Sequence, residues 1–102
     1  MSDSVHVIVH VVVHGRVQGV GYRAFVAREA GRHCLEGWVR NCRDGTVEAL
    51  FKGEAEPVDD MLAACRKGPF GARVDVVDQR AGTEADLRAR VPGEEFSLLP
   101  TL

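Results

Sequence analysis

Cysteine, proline and aromatic residues are all scarce in this sequence, and so is net charge. Its 102 residues hold 3 cysteines, 4 prolines and 6% aromatics, and the formal charge is −2. Cys34, Cys42 and Cys65 form an odd set at wide spacing with no C-x-x-C pair. That excludes both a secreted disulfide framework and zinc-type ligand spacing. Apolar runs such as Val11–Val13 are short, and none exceeds the five residues Met61–Cys65, far short of the ~20 residues that span a bilayer. No basic cluster precedes an apolar run near the start, so a secretory signal is not expected either. Reduced thiols in the cytoplasm and no membrane partner are the expectation. Low hydrophobicity with high net charge would mark disorder; at 45% hydrophobic and 27% charged, the chain reads instead as one globular domain over residues 1–102.

What charge there is lies unevenly. Residues 1–43 hold six arginines (16, 23, 28, 32, 40 and 43) against Asp3, Glu29 and Glu36, a net of +3 in a protein whose total is −2. A basic half in an acidic chain suggests a local anion site rather than a nucleic-acid surface. The aromatic signature of RNA-recognition motifs is absent as well.

The pattern of apolar residues gives the element order. Val5, Val7, Val9, Val11 and Val13 alternate with His6, Ile8, His10, Val12 and His14, which predicts a strand with a buried valine face and an open histidine face. Tyr22 to Cys34 carries Tyr22, Val26 and Ala30 on one helical stripe. Leu35–Asn41 and Thr46–Lys52 flank the turn signal Arg43-Asp44-Gly45 and predict a hairpin. Pro57 suits a first helical turn, and Val58, Met61, Leu62 and Cys65 follow at helical spacing before Gly68-Pro69. Ala72–Arg80 predicts a fourth strand with Val74 and Val76 inward. A polar stretch, Gly82–Gly93, then leads to a short strand at Phe96–Leu98. The order β-α-β-β-α-β is that of the α+β, ferredoxin-like split β-α-β sandwich, an antiparallel sheet with two helices on one face.

The first strand gives way to Gly15-Arg16-Val17-Gln18-Gly19-Val20-Gly21, and a helix follows. Glycines there permit positive φ and close approach of ligand atoms. Amide N–H groups converging at a helix N-terminus form an anion nest, and Arg23 adds a planar fork suited to phosphate oxygens. The spacing fits neither a Walker loop nor a dinucleotide fingerprint, and the pattern alone leaves a ligand-free glycine connection open. Asn41, at the end of the second strand, can orient a water or simply serve the turn.

Taken together, Gly15-x-Val17-Gln18-Gly19-Val20-x-Tyr22-Arg23 and Gly37-x-Val39-x-Asn41-x-x-Asp44-Gly45-x-Val47-Glu48 resemble the acylphosphatase family. The resemblance continues through Gly68-Pro69 and Ala72-Arg73-Val74. It implies hydrolysis of the carboxyl–phosphate bond of small acyl phosphates, with no metal and no cofactor, and with inorganic phosphate as product and inhibitor. It further implies that Arg23 and the amides of the Gly15–Gly21 loop (Gly15, Arg16, Val17, Gln18, Gly19, Val20 and Gly21) bind phosphate, while Asn41 positions the attacking water. A non-catalytic anion-binding module is the competing expectation. A monomer is expected. Two departures from the family pattern stand out: Tyr22 where phenylalanine is usual, which leaves a hydroxyl in need of a partner, and His14 where a small residue precedes the first glycine.

His6, His10 and His14 invite a metal reading. In an extended strand, residues four apart are separated by roughly 13 Å, too far to share one ion, so solvent-facing histidines are expected. Asp59-Asp60 and Glu94-Glu95 likewise read as solvated faces.

Overall fold

The computed structural model describes residues 6–102. Val5 and Asp3 lie outside the described residues, and the alternation is followed from His6 onward. It forms strand β1 (His6–Arg16), whose Val11 and Val13 are fully buried. The chain continues through α1 (Tyr22–Arg32), β2 (Glu36–Asn41), β3 (Val47–Glu54), α2 (Ala55–Lys67), β4 (Arg73–Ala81), a one-turn α3 (Glu84–Leu87) and β5 (Phe96–Leu98). The sheet order is β4-β1-β3-β2-β5. This is a ferredoxin-like α+β fold with one added edge strand. No helix among the described residues is long and apolar enough to cross a membrane.

Helical stripes and valine face meet as the pattern requires. Tyr22, Val26 and Ala30 of α1 and Val58, Met61, Leu62 and Cys65 of α2 are buried in one cluster with Val11, Val13, Val39, Val47, Ala49 and Phe51. The register sets these residues side by side: Val11 opposes Ala49, which opposes Val39, and Val13 opposes Val47, which opposes Asn41. Asn41 therefore stands at the end of a core rung, on the helix face.

Three expectations are corrected. First, the sheet is not wholly antiparallel, because β5 pairs parallel with β2. The approach is close at Gly37, where a Cβ would lie 1.8 Å from the Leu50 carbonyl oxygen and 3.2 Å from the Phe96 ring, and whose φ is +147°. Phe96 stacks on Phe51 at 5.9 Å. Second, the histidine face is not open. A second apolar cluster of Trp38, Leu50, Leu87 and Leu99, with Ile8 against it, covers part of that face. His10 is only 6% exposed beside it; His6, by contrast, is exposed. Third, Val76 is 49% exposed rather than inward. His14 opposes Val76 while Gly15 opposes Val74, so Asp75 is an extra residue, a bulge that resets the alternation of β4. Inward packing passes to Val74 and Val77. The bulge closes on Gly15, where a Cβ would sit 2.1 Å from the Arg73 carbonyl oxygen.

Candidate active site

Between the end of β1 and the start of α1 the chain turns through Gly19 (φ +75°) and Gly21 (φ +78°). Both are open to solvent with nothing against a would-be Cβ, so the need for glycine there is one of backbone angle. Gly21 is the N-cap of α1 in the left-handed conformation, without a side-chain cap and with no acidic residue in the first turn. The first bond of the helix runs from Phe25 N–H to the Gly21 carbonyl at 3.0 Å. The amides of Tyr22, Arg23 and Ala24 precede that bond and have no intrahelical acceptor. They form the positive end of the helix dipole, which favours an anion.

These amides open onto a hollow of about 170 Å³ lined by Val17, Gln18, Gly19, Gly21, Tyr22, Arg23, Ala24 and Asn41. Arg23 takes part in no ion pair among the described residues. Its guanidinium is thus uncommitted at the rim of an anion nest. Across the hollow is Asn41, whose buried Oδ1 has no hydrogen-bond partner among the described residues. A buried acceptor left unmet costs ~1–3 kcal/mol, so this oxygen is poised to accept from a ligand.

Asn41 is held by its main chain. Its carbonyl accepts from Leu102 N–H at 3.0 Å, and the next residue, Cys42, donates its N–H to Thr46 O at 2.9 Å. Asp44 closes the turn, accepting from Thr46 N–H at 3.0 Å and Thr46 Oγ1 at 2.6 Å. These bonds hold the Asp44 carboxyl below its ordinary pKa. The Gln18 side-chain amide donates to Cys42 O at 2.8 Å and Thr46 O at 2.9 Å, tying the glycine loop to the β2–β3 turn.

The residues singled out in the sequence fall into two groups. Val17, Gln18, Gly19, Gly21, Arg23 and Asn41 share the hollow. Gly15 and Arg16 are instead the last residues of β1, opposite Val74 and Arg73, and Val20 packs against the main core; none of these three lines it. Tyr22 and Ala24 line it without having been named as binding residues. The signal for them was the position of Gly21 as helix cap, which marks the next amides as unpaired. The Tyr22 ring is buried and its hydroxyl donates to the Cys65 carbonyl at 2.8 Å. His14 pairs with Asp78 at 3.0 Å and does not line the hollow. Among the described residues, no three histidine, cysteine, aspartate or glutamate side chains gather where a metal ion could be held.

The chain has close relatives. Residues 9–96 match the family model described as Acylphosphatase. An acylphosphatase of Rhodopseudomonas palustris (strain BisB18) is 57% identical over 96 residues, which is 94% of this chain and 97% of that protein. Among solved structures, the acylphosphatase of Bacillus subtilis superposes with a TM-score of 0.79 at 32% identity, covering 91% of this chain and 98% of that one. The acylphosphatase of Coxiella burnetii gives 0.81 at 28% identity, covering 97% and 100%. With a match that runs from β1 to β5 and relatives aligned almost end to end, the chain belongs to the acylphosphatase family, the hydrolases of acyl phosphates.

Proposed function

We propose that the hollow between α1 and β2 holds the phosphoryl group of a small acyl phosphate, with Arg23 as its anchor and Asn41 as the residue that orients the attacking water. The observation that carries this is the pairing of an unpartnered Asn41 Oδ1 with an unpaired Arg23 and free helix amides around one small space. Arg23 and the amides from Gly19 to Ala24 match the equatorial phosphoryl oxygens, where charge is spread in the transition state. Gln18 contributes through its main chain, since its side chain is spent on the neighbouring turn. Gly15, Arg16 and Val20 shape the loop rather than touch the anion.

Asn41 accepts one hydrogen of the water and aims its lone pair at phosphorus. The new P–O bond forms as the bond to the acyl oxygen breaks. The leaving group departs as a carboxylate whose conjugate acid has a pKa of about 4, so no general acid is called for. A neutral amide is too weak a base to take the water proton, which passes to a phosphoryl oxygen. The products are a carboxylate and inorganic phosphate, the latter competing for the same nest. No metal or cofactor enters this scheme. The three free cysteines support a reducing compartment, the cytoplasm, and the working unit is a monomer.

The test is hydrolysis of acetyl phosphate in EDTA by the wild type, Arg23→Ala and Asn41→Ala. Turnover without metal and competitive inhibition by inorganic phosphate are expected. Arg23→Ala should lose about 1,000-fold or more in kcat/KM. Asn41→Ala should lose about 100- to 1,000-fold in kcat. A folded wild type without turnover would overturn the reading, and wild-type turnover by Asn41→Ala would remove the water-orienting role.

A further inference from the structure

Glu48 belongs to the second sequence motif, yet it lies on the sheet face away from the hollow and has no part in the scheme above. Its carboxylate is mostly buried, with 16% of the side chain exposed, and is fully engaged. Oε1 accepts from Arg40 Nε at 2.8 Å and lies 3.9 Å from the Cys42 thiol. Oε2 is bonded to His10 Nε2 at 2.6 Å. Arg40 and Cys42 are the two residues that flank Asn41. One oxygen atom therefore bonds one neighbour of the proposed water-orienting residue and lies against the other.

The geometry points to Glu48 as a positioning residue for Asn41, an inference that rests on the role proposed for Asn41 above. Successive side chains of a strand leave on opposite faces. Fixing residues 40 and 42 to the far face thus obliges residue 41 to face the helices and the hollow. Arg40 is directly opposite Glu48 in the register, the arrangement in which a cross-strand charge pair acts most strongly. Its guanidinium also lies over the Trp38 ring, 4.6 Å from the centroid, a cation–π contact that restrains the side chain. His10, in a T-shaped contact with the same ring at 6.2 Å, closes the other side of the carboxylate. The anion nest takes no direct bond from these groups: Arg23 and the first-turn amides belong to α1, and the glycine loop reaches the β2–β3 turn through Gln18, bonded to the main-chain carbonyls of Cys42 and Thr46 rather than to side chains. Water orientation and phosphate affinity are therefore separable.

That separation supplies the experiment. Glu48→Ala, Glu48→Gln and Asn41→Ala are compared with the wild type for kcat on acetyl phosphate and for the inhibition constant of inorganic phosphate, with folding followed by circular dichroism. Misaligning a reacting group by ~1 Å costs up to about 100-fold, so Glu48→Ala is expected to lose roughly 10- to 100-fold in kcat. Its phosphate inhibition constant should stay within about twofold of the wild type, a change of less than half a kcal/mol. Glu48→Gln, which can still accept from Arg40 and donate to His10, should recover most of kcat. Should Glu48→Ala fail to fold, Arg40→Met, which keeps the stem over Trp38 and removes the donors, takes its place with the same split expected. Wild-type kcat in a folded Glu48→Ala, or loss of kcat and phosphate affinity in step, overturns the positioning role while Asn41→Ala remains impaired. An active Asn41→Ala overturns the reading beneath it instead.

Discussion

On the helix side of β1, Val11 and Val13 are sealed under α1 and α2 among aliphatic neighbours. One residue away, on the other side of the same strand, His10 meets a carboxylate at 2.6 Å and an indole ring in a T-shaped contact. The first face is stabilised by area removed from water, a term that is non-directional and spread over many residues. The second is a patchwork: a small apolar cluster of Trp38, Leu50, Leu87 and Leu99 beside a few polar contacts that each require one geometry. The hollow opens at the end of the first face, and the second face holds the strand that carries Asn41. A smooth core suits a scaffold, whereas directional bonds suit the aiming of one side chain.

The largest expected effect lies on the helix face. Phe51→Ala removes a fully buried ring and its stack on Phe96, and should lower unfolding free energy by ~3–5 kcal/mol in a denaturant titration. Leu87→Ala tests the other face. Leu87 is buried but belongs to a single helical turn under which the structure can relax, so a loss near the low end of the range, about 2 kcal/mol, is expected. Equal losses at the two positions would break the contrast between the faces. The smallest effect is one of pH. Burial pushes the Glu48 carboxyl up, but the hydrogen bonds from His10 and Arg40 outweigh it and hold its pKa below the ordinary 4.5. A depressed carboxylate pKa stabilises the fold fully above the unfolded value, and that contribution drains away as the pH falls through the folded one. The stability advantage of the wild type over Glu48→Gln should therefore shrink below about pH 4.5, read from denaturant midpoints across the acid range. An advantage that stays constant there would show that the carboxylate charge is not what the pair contributes.

The helix face was legible because its residues recur at fixed intervals: valine at every second position in β1, and Tyr22, Val26 and Ala30 one turn apart in α1. The other face was not, because Ile8, Trp38, Leu50, Leu87 and Leu99 are scattered along the chain and gather only in the folded sheet. Gly82–Gly93 looks polar, and its one helical turn is announced only by Thr83 and Asp86, whose side chains and amides bond reciprocally as a capping box. The exposure of Val76 depends on a bulge that no alternation can signal, since the bulge interrupts the alternation. For the site, the two motifs brought Arg23, Asn41 and most of the glycine loop to one hollow. What they left out is where a side chain is already occupied: Gln18 is bonded to the neighbouring turn, and Gly15 is closed upon by β4.

The Tyr22 hydroxyl joins the two helices at their ends. The Cys65 carbonyl that accepts it lies in the last turn of α2, where carbonyls run out of intrahelical donors. The residue that begins the phosphate cradle therefore completes the hydrogen bonding of the other helix. Burial raises the phenol pKa far above its ordinary value, so the proton stays on oxygen and the strut keeps its donor at any pH the fold survives. The consequence is mechanical. The amides that would grip the phosphate are braced against α2, so changes in the far helix have a directional route to the cradle through this hydroxyl, beside the shared apolar core.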